Sequence, residues 1–202
     1  MRTLLASLGV LLACLAVLAG ATQGFQAFTT ETARRLEVQQ QPRALPAAVL
    51  ETAQGERLDW SALAGRWLLV DFIYTRCDSY CSVQGNDFAR LQDRLAQPIG
   101  ADAVALLSIS FDREHDGPAQ LVAYQQRSRS RGPGWIAARP SSDGELQRLL
   151  AAFGVTVIPD GLDGYVHNAA INVVDPQGRL VRILDWDAAD EAVAYLARQG
   201  VP

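Results

Sequence analysis

The 202-residue chain contains no lysine; all eighteen of its basic residues are arginine. We take this as a bias of genomic composition rather than a functional signal. With a net charge of -4, the chain offers no electrostatic case for binding nucleic acid. Sulfur and imidazole are also scarce. Three cysteines are too few for a disulfide scaffold. One of them, Cys14, lies in an apolar N-terminal stretch, which leaves Cys77 and Cys81 as the single pair of the folded part. Met1 is the only methionine, and His115 and His167 are the only histidines. Any soft-metal site must therefore draw on two thiols and two imidazoles. No internal repeat or low-complexity block occurs. Apolar residues make up 49% of the chain and charged residues 20%, the balance of a globular domain with an extension.

The extension comes first. Arg2 is followed by "TLLASLGVLLACLAVLAGATQ", and the next charge is Glu31. Leu4 to Ala21 lies between the length of a signal-peptide core and that of a spanning helix. Ala19-Gly20-Ala21 is an acceptable cleavage site, and "LLAC" at 11–14 resembles a lipoprotein box. An uncleaved anchor uses the whole apolar run and is the favoured reading. All three send the remainder to an oxidising side, where a cysteine pair can close. We therefore divide the chain into a signal anchor or signal peptide (1–23), a polar, Gln-rich tether (24–45) and a folded domain (46–202).

Within the domain, "AVLETAQGERLDW" predicts short extended pieces about a turn at Gln54-Gly55. "WLLVDFIY" (67–74) reads as a strand covered on both faces. Val83, Phe88, Leu91 and Leu95 recur at helical spacing across Ser79 to Ala96, and Pro98 and Gly100 should end that helix. "AVALLSISF" (103–111) predicts a second buried strand. A helix over Pro118–Arg129, a short strand at "WIAAR" and a helix capped by Ser141 or Ser142 follow. "NAAINVVDPQGRLVRIL" forms two strands about the turn Asp175-Pro176-Gln177-Gly178, and "DAADEAVAYLARQ" is a closing amphipathic helix. The order β-α-β-α-(β)-α-β-β-α predicts an α/β thioredoxin-like three-layer sandwich with a central mixed sheet, preceded by the N-terminal anchor helix.

Cys77 then falls where the first long strand hands over to a helix, a position that favours a thiolate. Four residues of helix bring both sulfurs to one face, where they can close a disulfide or chelate a soft ion. The plain alternative is two buried apolar cysteines. CxxxC is a weak signal alone, but its setting is informative. "FIYTRCDSYC", then "SISFDREHDGP", then "GYVHNAAINVVDPQGRLVRIL" resembles, in that order, the Sco/SenC family of copper-binding cytochrome c oxidase assembly proteins, over about residues 46–199. The resemblance implies a thioredoxin-like fold, a single membrane anchor, and copper held by Cys77, Cys81 and His167. It also matches Asp112 and Asp116 to an Asp-x-x-x-Asp stretch of the family. The chain departs from the family at Asp78 and Ser82, where members carry Pro, and at Val166, where they often carry Asp.

His167 opens the segment leading to the terminal hairpin, so its ring should reach the cysteine pair. His115, in the charged loop "DREHDGP", reads as solvated. Asp112 and Asp116 read first as caps of the following helix, and second as residues that position the cysteine loop or a partner. Two thiolates and one imidazole suit Cu(I), and Cu(II) with an added ligand. The implied function is that of a membrane-tethered metallochaperone for the copper centre of a respiratory oxidase. Its expected partners are that copper-centre subunit, other copper carriers and thiol reductants. Its expected location is the bacterial inner membrane, with a single N-terminal anchor and the domain facing the periplasm, or an exported form after cleavage. The rival is a thiol–disulfide oxidoreductase in which Cys77 and Cys81 reduce partner cysteines. A thiol peroxidase ranks below both, because no Pro precedes Thr75 to frame the cysteine.

Overall fold

The computed structural model describes residues 2–76 and 80–201, and of residues 80–84 the backbone alone. The chain divides into two compact units, Met1–Gln41 and Pro42–Pro202. In the first, helix α1 (Arg2–Ala21) contains an 18-residue window of mean hydropathy 2.5 and is long and apolar enough to cross a membrane. Helix α2 (Thr30–Gln40) lies inside the stretch read as a tether. Thr29 caps it by accepting from Thr32 N, and Glu31 pairs with Arg34 and Arg35 one turn on.

The second unit is built on one sheet. Its strands are β1 (Arg43–Ala44), β2 (Val49–Thr52), β3 (Arg57–Asp59), β4 (Trp67–Ile73), β5 (Val104–Ser110), β6 (Trp135–Pro140), β9 (Ala170–Val174) and β10 (Arg179–Asp185). A separate two-stranded hairpin, β7 (Val157–Pro159) with β8 (Tyr165–His167), intervenes before β9. The large sheet runs β1-β10-β9-β4-β5-β6-β2-β3. β4, β5 and β6 are parallel, and the remaining pairings are antiparallel. The helices are α3 (Tyr80–Arg94), α4 (Ala96–Gly100), α5 (Pro118–Arg127), α6 (Asp143–Phe153) and α7 (Ala189–Arg198).

Alternation along the strands sorts these helices into layers. Leu69 and Ile73 of β4, Leu106 of β5, Trp135 of β6 and Val173 of β9 share a core with Phe88 and Leu91 of α3, Leu121 of α5 and Leu196 of α7. Each fully buried side chain of this kind stabilises the fold by about 2 kcal/mol. On the opposite face Phe72 meets Phe153 of α6 edge-on at 5.1 Å, and Trp60 meets the same ring at 6.1 Å. This is the three-layer sandwich expected from the sequence.

Local details follow from side-chain chemistry. Ser142 is the cap of α6, accepting from Glu145 N, and Gly154 ends that helix at φ 67. Asp175 closes the β9–β10 turn by accepting from Gln177 N and Arg179 N. One expectation is revised. Pro98 and Gly100 do not terminate the helix into a loop but lie within the short helix α4. Pro98 sits in its first turn, where the missing N–H is not needed.

Candidate metal centre

The site is assembled where β4 ends. Ile73 O still accepts from Phe111 N, so the ladder holds to the last strand residue. Thr75 then turns the chain, and each of its polar groups is engaged. Its N and Oγ1 donate to the two oxygens of Asp116 at 2.8 and 2.6 Å, and its carbonyl accepts from Arg127. Asp116 is wholly buried and also accepts from Ser110 Oγ at 2.6 Å. It makes no capping bond to α5, whose N-cap is Gly117 without a side-chain bond. The capping reading of Asp116 therefore gives way to a positioning one, because three donors in a dry pocket hold its charge better than one helix end. Asp112, 3% exposed, accepts from Arg76 Nε and Nη2 at 3.1 and 2.9 Å and from the His115 ring at 3.0 Å. His115 is half-exposed and spent on this contact.

Cys77 lies outside the described residues, as does the expected helix start at Ser79. For Cys81 only its backbone, in the first turn of α3, is described. His167 closes the small hairpin, opposite Val157. Its ring packs against Phe111 at 5.1 Å and Tyr74 at 6.5 Å, and Asn168 beside it is pinned to Gly154 O and Thr156 N. Burial pulls its pKa down to about 4, so the imidazole is neutral at pH 7, the form able to bind a metal. Among the described residues nothing pairs with its buried Nδ1. That nitrogen is not a satisfied core atom.

Three contributors were not singled out in the sequence. Arg76, Arg127 and Asp163 give no periodic signal. Arg76 Nη1 reaches Asp163 in the hairpin loop at 2.7 Å. The first three residues after β4 are thus tied to the β5–α5 loop, to the end of α5 and to the hairpin that carries His167. A helix N-terminus such as that of α3, which begins at Tyr80, favours an anionic thiolate, and such a thiolate can serve soft-metal binding or disulfide exchange.

Comparison with known proteins bears on the choice. A model of SCO1/SenC matches residues 39–199. The SCO1 protein homolog of Bacillus subtilis (strain 168) is 27% identical over 135 residues, which cover 65% of this chain and 68% of that protein. The structure of Bradyrhizobium japonicum ScoI with copper bound is 25% identical, with a TM-score of 0.65, over 77% of this chain and 98% of that one. BsSco is a member of the Sco family of cytochrome c oxidase assembly proteins in which a disulfide switch was identified. It shares the fold at a TM-score of 0.68 and 21% identity, over 78% of this chain and 94% of that one. With four-fifths of its length matched by the family model and its sandwich shared with solved members, the chain belongs to the SCO1/SenC family.

Proposed function

We propose that the chain is a membrane-tethered metallochaperone that carries copper on Cys77, Cys81 and His167 and delivers it to the copper centre of a respiratory oxidase. The observation that carries this reading is the neutral His167, whose buried Nδ1 has no partner among the described residues, on a hairpin tied to the loop leading into Cys77. Two thiolates and one imidazole form a soft set suited to Cu(I). A relative of similar fold binds copper. Copper is the cargo, and it leaves as the acceptor's thiolates replace these ligands one at a time. The apolar helix α1 supports a tether to the inner membrane, with the domain on the periplasmic side.

A second reading, a thiol–disulfide oxidoreductase, is favoured by one observation. Arg76 precedes Cys77 directly, and Arg127 caps the carbonyl of Thr75. Cations so placed would lower the pKa of a nearby thiol and speed exchange.

The two separate at His167. In the full-length chain in detergent, carrying Cys14→Ala so that two thiols remain, the reduced protein should bind about one copper, as a single three-donor set requires. Cys77→Ser and Cys81→Ser should each abolish tight binding, and His167→Ala should weaken it at least tenfold. His167→Ala should still form and break the Cys77–Cys81 disulfide. In cells it should lower oxidase activity, with partial rescue by added copper. Normal oxidase activity in His167→Ala alongside loss in both cysteine variants would make thiol chemistry the function.

A further inference from the structure

The hairpin that carries His167 lies outside the main sheet; its base is held where Asn168 donates to Gly154 O and accepts from Thr156 N, and its loop is tied separately. Its loop is largely self-contained, with Asp160 Oδ1 accepting from Leu162 N and Gly164 N. Tyr74 Oη meets Tyr165 O and N only at 3.3 and 3.4 Å, long for hydrogen bonds. The rings of Tyr74, Phe111, Tyr165 and His167 pack edge to face, which limits sliding weakly. One charged tie joins the hairpin loop to the cysteine loop among the described residues, and it passes through Arg76.

The two arms of that guanidinium differ in kind. On one side it holds Asp112, 3% exposed and also bonded to His115; on the other it reaches Asp163, 88% exposed. The inner arm is shielded from salt and persists. The outer arm is open to water, screened over about 8–10 Å, and so is weak and releasable. Asp163 adopts φ 66, a left-handed conformation that Asp tolerates better than most residues. Its carboxylate is directed at Arg76 from a backbone state that most side chains would resist.

We propose that Arg76 is a positioning residue for the copper site: by gripping Asp112 permanently and Asp163 reversibly, it sets His167 against the cysteine loop and lets it go when a partner competes for Asp163. This rests on the reading of His167 as a copper ligand. Arginine suits the role because its planar fork serves two carboxylates at once, which an ammonium cannot do with the same directionality. A partner bringing its own basic group to Asp163 would loosen the imidazole first, leaving copper on two thiolates and ready for exchange.

Asp163→Asn keeps the turn and the side-chain volume but removes the charge, so it spares the fold. In the full-length chain in detergent it should weaken copper binding about five-fold, the equivalent of an exposed ion pair worth about 1 kcal/mol. The same loss should appear in the unsubstituted chain as salt rises from 0.05 to 0.5 M, and should be absent in Asp163→Asn. In a His167→Ala background Asp163→Asn should cost nothing further, since the two act through one ligand. An equal cost in both backgrounds overturns the proposal. A metal-free readout stands apart from the copper reading. Backbone amides across 157–167 should exchange several-fold faster in Asp163→Asn, with those of β4 and β5 unchanged; unaltered exchange in the hairpin also overturns it. Faster hairpin exchange in a chain that binds copper without His167 would leave the Arg76 tie standing and remove only the ligand assignment.

Discussion

Asp71 sits in the middle of β4, fully buried, with neither carboxylate oxygen hydrogen-bonded among the described residues. Ser108 stands beside it in register on β5 and draws its pKa down, while its hydroxyl accepts from Trp135 Nε1 at 2.9 Å. No bond of ordinary geometry links the two, and burial dominates, pushing Asp71 up to about 7. Between pH 4 and 7 the folded chain therefore keeps a proton that the unfolded chain has lost. Stability falls as pH rises through that window and levels off above it. Asp71→Asn should remove this contribution, gaining roughly 2–4 kcal/mol over the unsubstituted protein at pH 8 and almost nothing at pH 4. Urea unfolding at pH 4, 6 and 8 measures it; a pH-independent difference would mean the carboxyl ionises normally. The sequence contained this residue in plain view within "WLLVDFIY", yet a single charge inside an apolar run reads as part of the strand. What makes it unusual is that neither oxygen is hydrogen-bonded among the described residues, which only tertiary structure reveals. His167 and the cysteines stood out for the opposite reason: there are few cysteines and histidines in the chain, and the family resemblance points to these three.

Long elements were readable because their apolar periods are strong. β4 and β5 lie where continuous apolar runs put them, β9 and β10 flank the expected turn, and α7 lies where the amphipathic pattern put it. The hairpin β7–β8 was not, since strands of three residues are shorter than any period can register, and Pro159, Asp160, Gly161 and Gly164 all signal loop. The link between elements was read only as a second alternative. Asp116 joins the end of β4 to the start of α5 by accepting from Thr75 and Ser110, whereas its place before the helix suggested a cap first. Asp116→Ala should leave the Thr75 N–H and two hydroxyls without their acceptor and cost about 2 kcal/mol or more, measurable as a lower urea midpoint. Asp116→Asn, which retains an acceptor oxygen, should cost less. Equal stability of all three proteins would show that water serves Thr75 as well as the carboxylate does.

At the scale of the whole chain, the division at Gln41/Pro42 makes the second unit a candidate for independent folding. A chain beginning at Pro42 should fold and remain soluble without detergent, with the same circular dichroism and cooperative melting as the domain in the full chain. Aggregation of this form while the full chain is well folded in detergent would place the boundary elsewhere. The starting residue matters because of β1, only two residues long, which pairs Arg43 and Ala44 with Leu180 and Arg179 of β10, while Arg43 also donates to Ala152 O at 3.0 Å. With β1 in place, one edge of the eight-stranded sheet is a short strand bearing a charge; the other edge, β3, has three residues and carries Arg57 and Asp59. Short, charged borders of this kind discourage one molecule from extending its sheet with another. A chain cut at Leu45 would lose that border and leave β10, seven residues with Leu180, Val181, Ile183 and Leu184, as an open template for self-association.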